Sequence, residues 1–160
     1  MKQFLARAAA VLAVVVLAAL GSIGAASADG PQDFAVGGFT RGNGAHVGFS
    51  AHSGALDENP FGHLSSTLPG VRQERYEVTC LAVAGNRASI GLVPTDAGSN
   101  DATIETVLVV IDSGLPGGAG DVYGFVLNPG VQAKDCAAFV LATPPFSPSS
   151  GNIVVKDALP

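Results

Sequence analysis

From residue 33 onward, apolar and polar positions alternate in short runs, and each run closes on a cluster of Gly, Asn, Asp or Pro. A repeat of two is the mark of strands with one buried face, and a helical period is missing after the first thirty residues. The runs predict strands at Asp33–Thr40, His46–His52, Phe61–Thr67, Val71–Val83, Arg87–Pro94, Thr103–Asp112, Asp121–Leu127, Ala137–Thr143 and Gly151–Lys156. In the second run Val47, Phe49 and Ala51 fall on one face, with His46, Gly48, Ser50 and His52 on the other. In the fourth, Tyr76, Val78, Cys80 and Ala82 share a face, opposite Glu77 and Thr79. Gly85-Asn86 is a tight hairpin signal, and the strand after it turns Ala88, Ile90 and Leu92 inward.

Short strands at regular spacing joined by short turns predict an all-β domain built as an antiparallel meander. Two free edges are an aggregation hazard that closure removes. The expectation is therefore a small barrel, closed or nearly closed, with a two-sheet sandwich as the alternative.

The start of the chain breaks the pattern. Lys2 and Arg7 precede an apolar run from Ala8 to Leu20, and Ala26-Ser27-Ala28 follows as a small-residue cleavage site. That order reads as a cleavable export signal over residues 1–28, and residues 29–160 form one secreted domain. The run is shorter than the roughly 20 residues a membrane span needs, so no stable insertion is expected after cleavage. In the mature chain six basic residues face thirteen acidic ones, a net charge of −7. Clustered Lys and Arg are what phosphate binding requires, so nucleic acid is not an expected partner. A monomer is expected.

Cys80 and Cys136 both belong to the mature part, and export favours oxidation. Two cysteines allow one intrachain disulfide, with a pair of free buried thiols as the alternative.

Several stretches then occur in a suggestive order: Gly48-Phe49-Ser50-Ala51, Gly62-His63-Leu64, Val78–Ile90 with its Gly85-Asn86-Arg87-Ala88 hairpin, Val110–Gly117, and Gly151-Asn152-Ile153-Val154-Val155. In this the chain resembles a group of uncharacterised secreted bacterial β-domain proteins, common in actinobacteria. The resemblance covers most of the mature chain. It implies the fold and an extracellular location, and it carries over no catalytic residue.

Candidate chemistry is sparse. His46, His52 and His63 lie close in sequence, but residues six apart on a strand are ~20 Å apart at ~3.3 Å per residue, too far for a shared zinc ion. The loop from Asp112 to Asp121 has two carboxylates around a Gly-rich turn. They could contribute to a calcium site, but the spacing is not that of an EF-hand, and capping of backbone amides is the simpler role. Ser50 and Ser53 flank His52 without an orienting acid or a nucleophile elbow. Glu74 and Glu77 fall on opposite faces, which disfavours paired-carboxylate glycoside chemistry. Gly37-Gly38 and Gly42-Asn43-Gly44 read as turn or bulge glycines that precede no helix, so they form no phosphate cradle. No catalytic residue, metal or cofactor is expected. The expected function is non-catalytic: extracellular binding or a part in the cell envelope. The alternatives are a barrel that carries a small apolar ligand and a small hydrolase or lyase with a loop-assembled site.

Overall fold

The computed structural model describes residues 32–71, 73–95, 106–127 and 135–158, so the expected leader and the first three residues of the expected sixth strand lie outside the described residues. The described residues form eight strands: β1 (Gln32–Thr40), β2 (His46–Gly54), β3 (Phe61–Thr67), β4 (Glu74–Ala84), β5 (Arg87–Pro94), β6 (Thr106–Ile111), β7 (Val122–Leu127) and β8 (Ser150–Lys156). All pair antiparallel in one sheet of order β7-β6-β5-β4-β3-β2-β1-β8. The first seven form the expected meander, and the last strand joins the free side of the first. The sandwich alternative is set aside, because there is a single sheet.

The alternation sorts side chains as expected. Ala35, Phe39, Val47, Phe49, Ala51, Leu64, Ala88, Ile90, Leu92, Leu108, Val110 and Ile153 meet in one apolar core. Burying a side chain such as Leu64 or Ile90 contributes about 1.5–3 kcal/mol. The sheet curls round this core. Phe39 of β1 and Tyr123 of β7 come from opposite sides of the sheet, yet their ring centroids are 4.4 Å apart.

The barrel, expected to be closed or nearly closed, is instead an open curled sheet: the backbone ladder does not join β7 and β8 among the described residues. The chain approaching β8 explains this. Phe146 makes one bridge to Tyr123, donating to its carbonyl at 3.1 Å and accepting its N–H at 2.8 Å. Pro144, Pro145 and Pro148 surround it and have no N–H to extend the ladder. Elsewhere the seam is held by carboxylates. Asp121 Oδ2 accepts the Ile153 N–H at 2.8 Å, and Asp112 Oδ2 accepts the Val155 N–H at 3.1 Å. The outward amides of Ile153 and Val155 on edge strand β8 are thus satisfied without a partner strand.

Two further expectations are corrected on the outer face of β4–β6. The register shifts between Val78 and Cys80, with Thr79 as the extra residue of a bulge. A bulge reverses the alternation, so Cys80 does not share a face with Tyr76 and Val78. Leu81 turns into the core instead, while Cys80 and Ala82 face outward and pack with Cys136 and Val140. Cys80 and Cys136 form a disulfide with a Cα–Cα distance of 5.9 Å.

The ninth expected strand, Ala137–Thr143, is absent. Cys136–Ala138 is a 3₁₀ turn, continued by a hydrogen bond from Ala142 N–H to Phe139 O at 2.8 Å. The segment lies over β4 and β5, where Ser89 Oγ donates to Cys136 O at 2.6 Å. Those strands already have partners on both sides, so no edge is left for it to join. It serves as a cover, and beneath it Ala82, Ser89, Val107 and Val109 are buried.

Candidate functional site

Among the described residues, the cover leaves the other half of the outer face bare. Four ladder rows cross it from β8 through β1 and β2 to β3. They are Lys156–Phe34–His52–Phe61, Val154–Val36–Ser50–His63, Asn152–Gly38–Gly48–Ser65 and Ser150–Thr40–His46–Thr67. None of these residues is buried. The parity of β1 and β2 turns Ala35, Phe39, Val47, Phe49 and Ala51 inward and presents these instead.

The third and fourth rows frame a trough of about 360 Å³. Its floor is Gly38 and Gly48, directly paired across β1 and β2. Its wall is the row Ser150, Thr40, His46 and Thr67, one polar side chain from each of four strands. Ser150 Oγ donates to Thr40 Oγ1 at 3.2 Å, and Thr40 Oγ1 lies 3.1 Å from His46 Nδ1. At Ser65 the trough meets a second groove of about 460 Å³ that includes His63, Arg75, Tyr76 and Glu77. Burial, then the charge of Glu74 and a 3.0 Å hydrogen bond donated to it, push the Tyr76 hydroxyl up to about 12.

Gly37 and Gly38 are not turn or bulge glycines, because both lie within the regular ladder of β1. Their requirements differ. A side chain at Gly37 would meet Asn152 O at 2.7 Å and the Phe49 ring at 3.0 Å, so packing demands glycine there. A Cβ at Gly38 would have nothing closer than 3.8 Å, and one at Gly48 nothing closer than 3.6 Å. Neither backbone requires glycine. A strand-interior glycine costs roughly 0.5–1 kcal/mol against alanine, and close approach by a ligand or another backbone is one of the settings in which strands carry glycine.

No protein-family model, curated protein or solved structure matches this chain. The site is therefore read from its own geometry. Among the described residues, no helix is long and apolar enough to cross a membrane.

His46 and His52 share the bare face at opposite ends of β2, and His63 stands opposite Ser50. No cluster of three or more metal-ligating side chains occurs among the described residues. His52 stacks on the exposed Phe61 ring, with centroids 5.1 Å apart and planes 14° apart. Ser50 Oγ lies 2.9 Å from His52 Nε2, which is the distance of a nucleophile and its base. However, β2 is paired on both sides, so its ladder amides cannot form an oxyanion hole, and no described carboxylate is bonded to His52. Glu74 and Glu77 stay apart: Glu74 accepts from Tyr76, while Glu77 pairs with His63 across the ladder.

The loop from Asp112 to Asp121 uses its carboxylates on the protein itself. Asp112 Oδ1 accepts from Gly114 N at 2.6 Å, and Asp121 Oδ1 accepts from both Ser113 N and Ser113 Oγ at 2.9 Å. With the bonds to β8, all four oxygens already accept hydrogen bonds. Capping of backbone amides, the simpler role, describes these carboxylates.

Charge gathers at the far end of the sheet. Asp33, 3% exposed, stands opposite Ser53 and accepts the Ala158 N–H at 2.6 Å. Burial raises its pKa, helped by the charges of Asp157 and Glu58. In Asp57, loss of surrounding water and then the charges of Asp33, Glu58 and Asp157 also raise the pKa above 3.8. Asp57 further adopts φ 60°, a conformation that suits asparagine. A carboxyl whose pKa is raised by folding weakens the fold once ionised, and the deficit disappears as the pH falls below its unfolded value. Asp57→Asn is expected to raise stability by up to about 0.5 kcal/mol at neutral pH. The electrostatic part of the gain should fade as acid protonates the wild-type carboxyl. Urea midpoints near pH 7 and near pH 3 check this, and an equal gain at both would leave only the backbone effect.

Proposed function

We propose that the mature chain is a secreted, non-catalytic binding domain of the extracellular space or cell envelope, and that its ligand lies in the trough of the bare outer face. The observation that carries this reading is the cross-strand pair Gly38–Gly48, kept free of side chains where the backbone would accept them. The alternatives have less support. A carried apolar ligand would have to occupy the inner face, which is taken up by Phe39, Phe49, Leu64, Ile90 and Leu108. Acyl transfer at Ser50 and His52 would proceed without an oxyanion hole from β2. The disulfide and the resemblance to secreted β-domain proteins support export.

Filling the floor tests the reading. Gly48→Val adds a strand-forming side chain on the open face and should leave the far-UV circular dichroism spectrum unchanged. The mature wild type should co-sediment with insoluble bacterial cell envelope, and Gly48→Val should weaken that retention by about tenfold or more, the loss of one good anchor. A wild type that stays in the supernatant, or a variant retained equally well, would overturn the proposal.

A further inference from the structure

We infer that the trough takes a neutral, hydroxyl-rich glycan chain laid across the strands. The inference rests on the binding role proposed above and names the class of ligand.

The first argument is the chemistry of the lining. Ser65 and Thr67 offer hydroxyls that both donate and accept, as sugar hydroxyls do, while Ser150 and Thr40, bonded to one another and to His46 Nδ1, keep acceptor lone pairs and His46 adds its Nε2. Among the described residues, no carboxylate, lysine or arginine lines this trough. A mature chain of net charge −7 gives a polyanion no general attraction. The match is to a ligand that is polar and uncharged.

The second argument is spacing. Ser150, Thr40, His46 and Thr67 form a single ladder row, one from each of β8, β1, β2 and β3. Neighbouring strands lie about 4.8 Å apart, so the wall presents a polar group at that interval. The interval is close to the length of one pyranose ring in a linear glycan. Four strands then accommodate roughly three or four sugar units.

The third argument separates a glycan from a peptide. An extended peptide gains affinity by pairing its backbone with a free strand edge. Here β1 and β2 are interior strands whose backbone groups serve the ladders on either side. A peptide crossing them would leave much of its own backbone without partners. A sugar chain makes its hydrogen bonds through hydroxyls, which the side-chain wall supplies, and its ring faces rest on the bare glycine floor.

The test is a nuclear magnetic resonance titration of the ¹⁵N-labelled, disulfide-intact mature protein. The probes are soluble linear oligosaccharides of glucose and of N-acetylglucosamine, a neutral Ser/Asn/Gly peptide of similar length, and a sulfated oligosaccharide. At least one neutral oligosaccharide should shift the amides of Gly38, Gly48, Ser65 and Thr67. Its affinity should rise by about tenfold or more from disaccharide to tetrasaccharide, and both Gly48→Val and the double variant Thr40→Val/His46→Ala should lose about tenfold. Absence of shifts with every neutral oligosaccharide, shifts only with the peptide or the sulfated sugar, or shifts confined to another face would each overturn the inference. If envelope retention is lost in Gly48→Val while neutral oligosaccharides neither shift these amides nor compete, the glycan falls and the binding role stands. If Gly48→Val leaves retention unchanged, both fall.

Discussion

Asp121→Ala is expected to lower folding stability by about 3–5 kcal/mol, the largest effect of a single substitution considered for this protein. Asp121 is 1% exposed, and its carboxylate accepts three hydrogen bonds. Two come from Ser113 and secure the loop between β6 and β7. The third comes from Ile153 and joins that loop to β8 across the open seam. Alanine leaves the Ile153 amide without an acceptor in a buried site and takes the acceptor from the half-buried Ser113 N–H and hydroxyl. Orphaning a buried donor costs about 1–3 kcal/mol, and bonds to a charged group are stronger than the average. Asp121→Asn should cost less, because one acceptor oxygen remains. Urea unfolding of the wild type and both variants gives the comparison. Hydrogen exchange locates the damage, with faster exchange expected at Ile153 and Val155 than at β3–β5. A loss for alanine below about 1 kcal/mol would mean that water replaces the carboxylate and that the seam is not held this way.

Cys80→Ser and Cys136→Ser should each cost about 2–4 kcal/mol. The bond spans 56 residues and joins the bulge of β4 to the start of the cover. Without it the unfolded chain gains freedom, a loss of roughly 4 kcal/mol in the chain-entropy account, which is an upper figure. In the folded state the cover then depends on weaker ties, among them Ser89 Oγ to Cys136 O at 2.6 Å and an Arg87 guanidinium N–H to Ala142 O at 3.0 Å. Either substitution removes the same bond, so the double variant should be little worse than either single one. The β signature should persist at low temperature, because the core of β1–β6 does not include the disulfide. Exchange should quicken at Val107 and Val109 under the cover and stay slow at Phe49 and Leu64. Thiol titration of the unfolded, unreduced wild type checks the premise. Two free thiols per chain would remove the bond from the argument.

Much of the candidate site was legible in the sequence residue by residue. Parity alone put His46, Gly48, Ser50 and His52 of β2 on one polar face. The trough was not legible, because it is a property of register. Gly38 matters because it lies opposite Gly48, and Ser150 matters because the last strand pairs with the first. Read alone, Gly37-Gly38 resembles a turn, and only the space around each Cβ separates a packing glycine from a bare floor.

The sequence by itself determined an all-β chain, the places of the turns, most inward residues and the two cysteines available for bonding. These depend on side-chain alternation and turn chemistry, which act over a few residues. Tertiary structure decided the rest. A single extra residue at Thr79 reversed the faces of β4 and sent Cys80 outward. The apolar segment after Cys136 became a cover, because the strands beneath it had no free edge. The seam stayed open at the backbone, because prolines flank Phe146 and carboxylates accept from Ile153 and Val155 of β8. Each outcome depends on which strands stand side by side, and a local repeat of two is the same for every such arrangement.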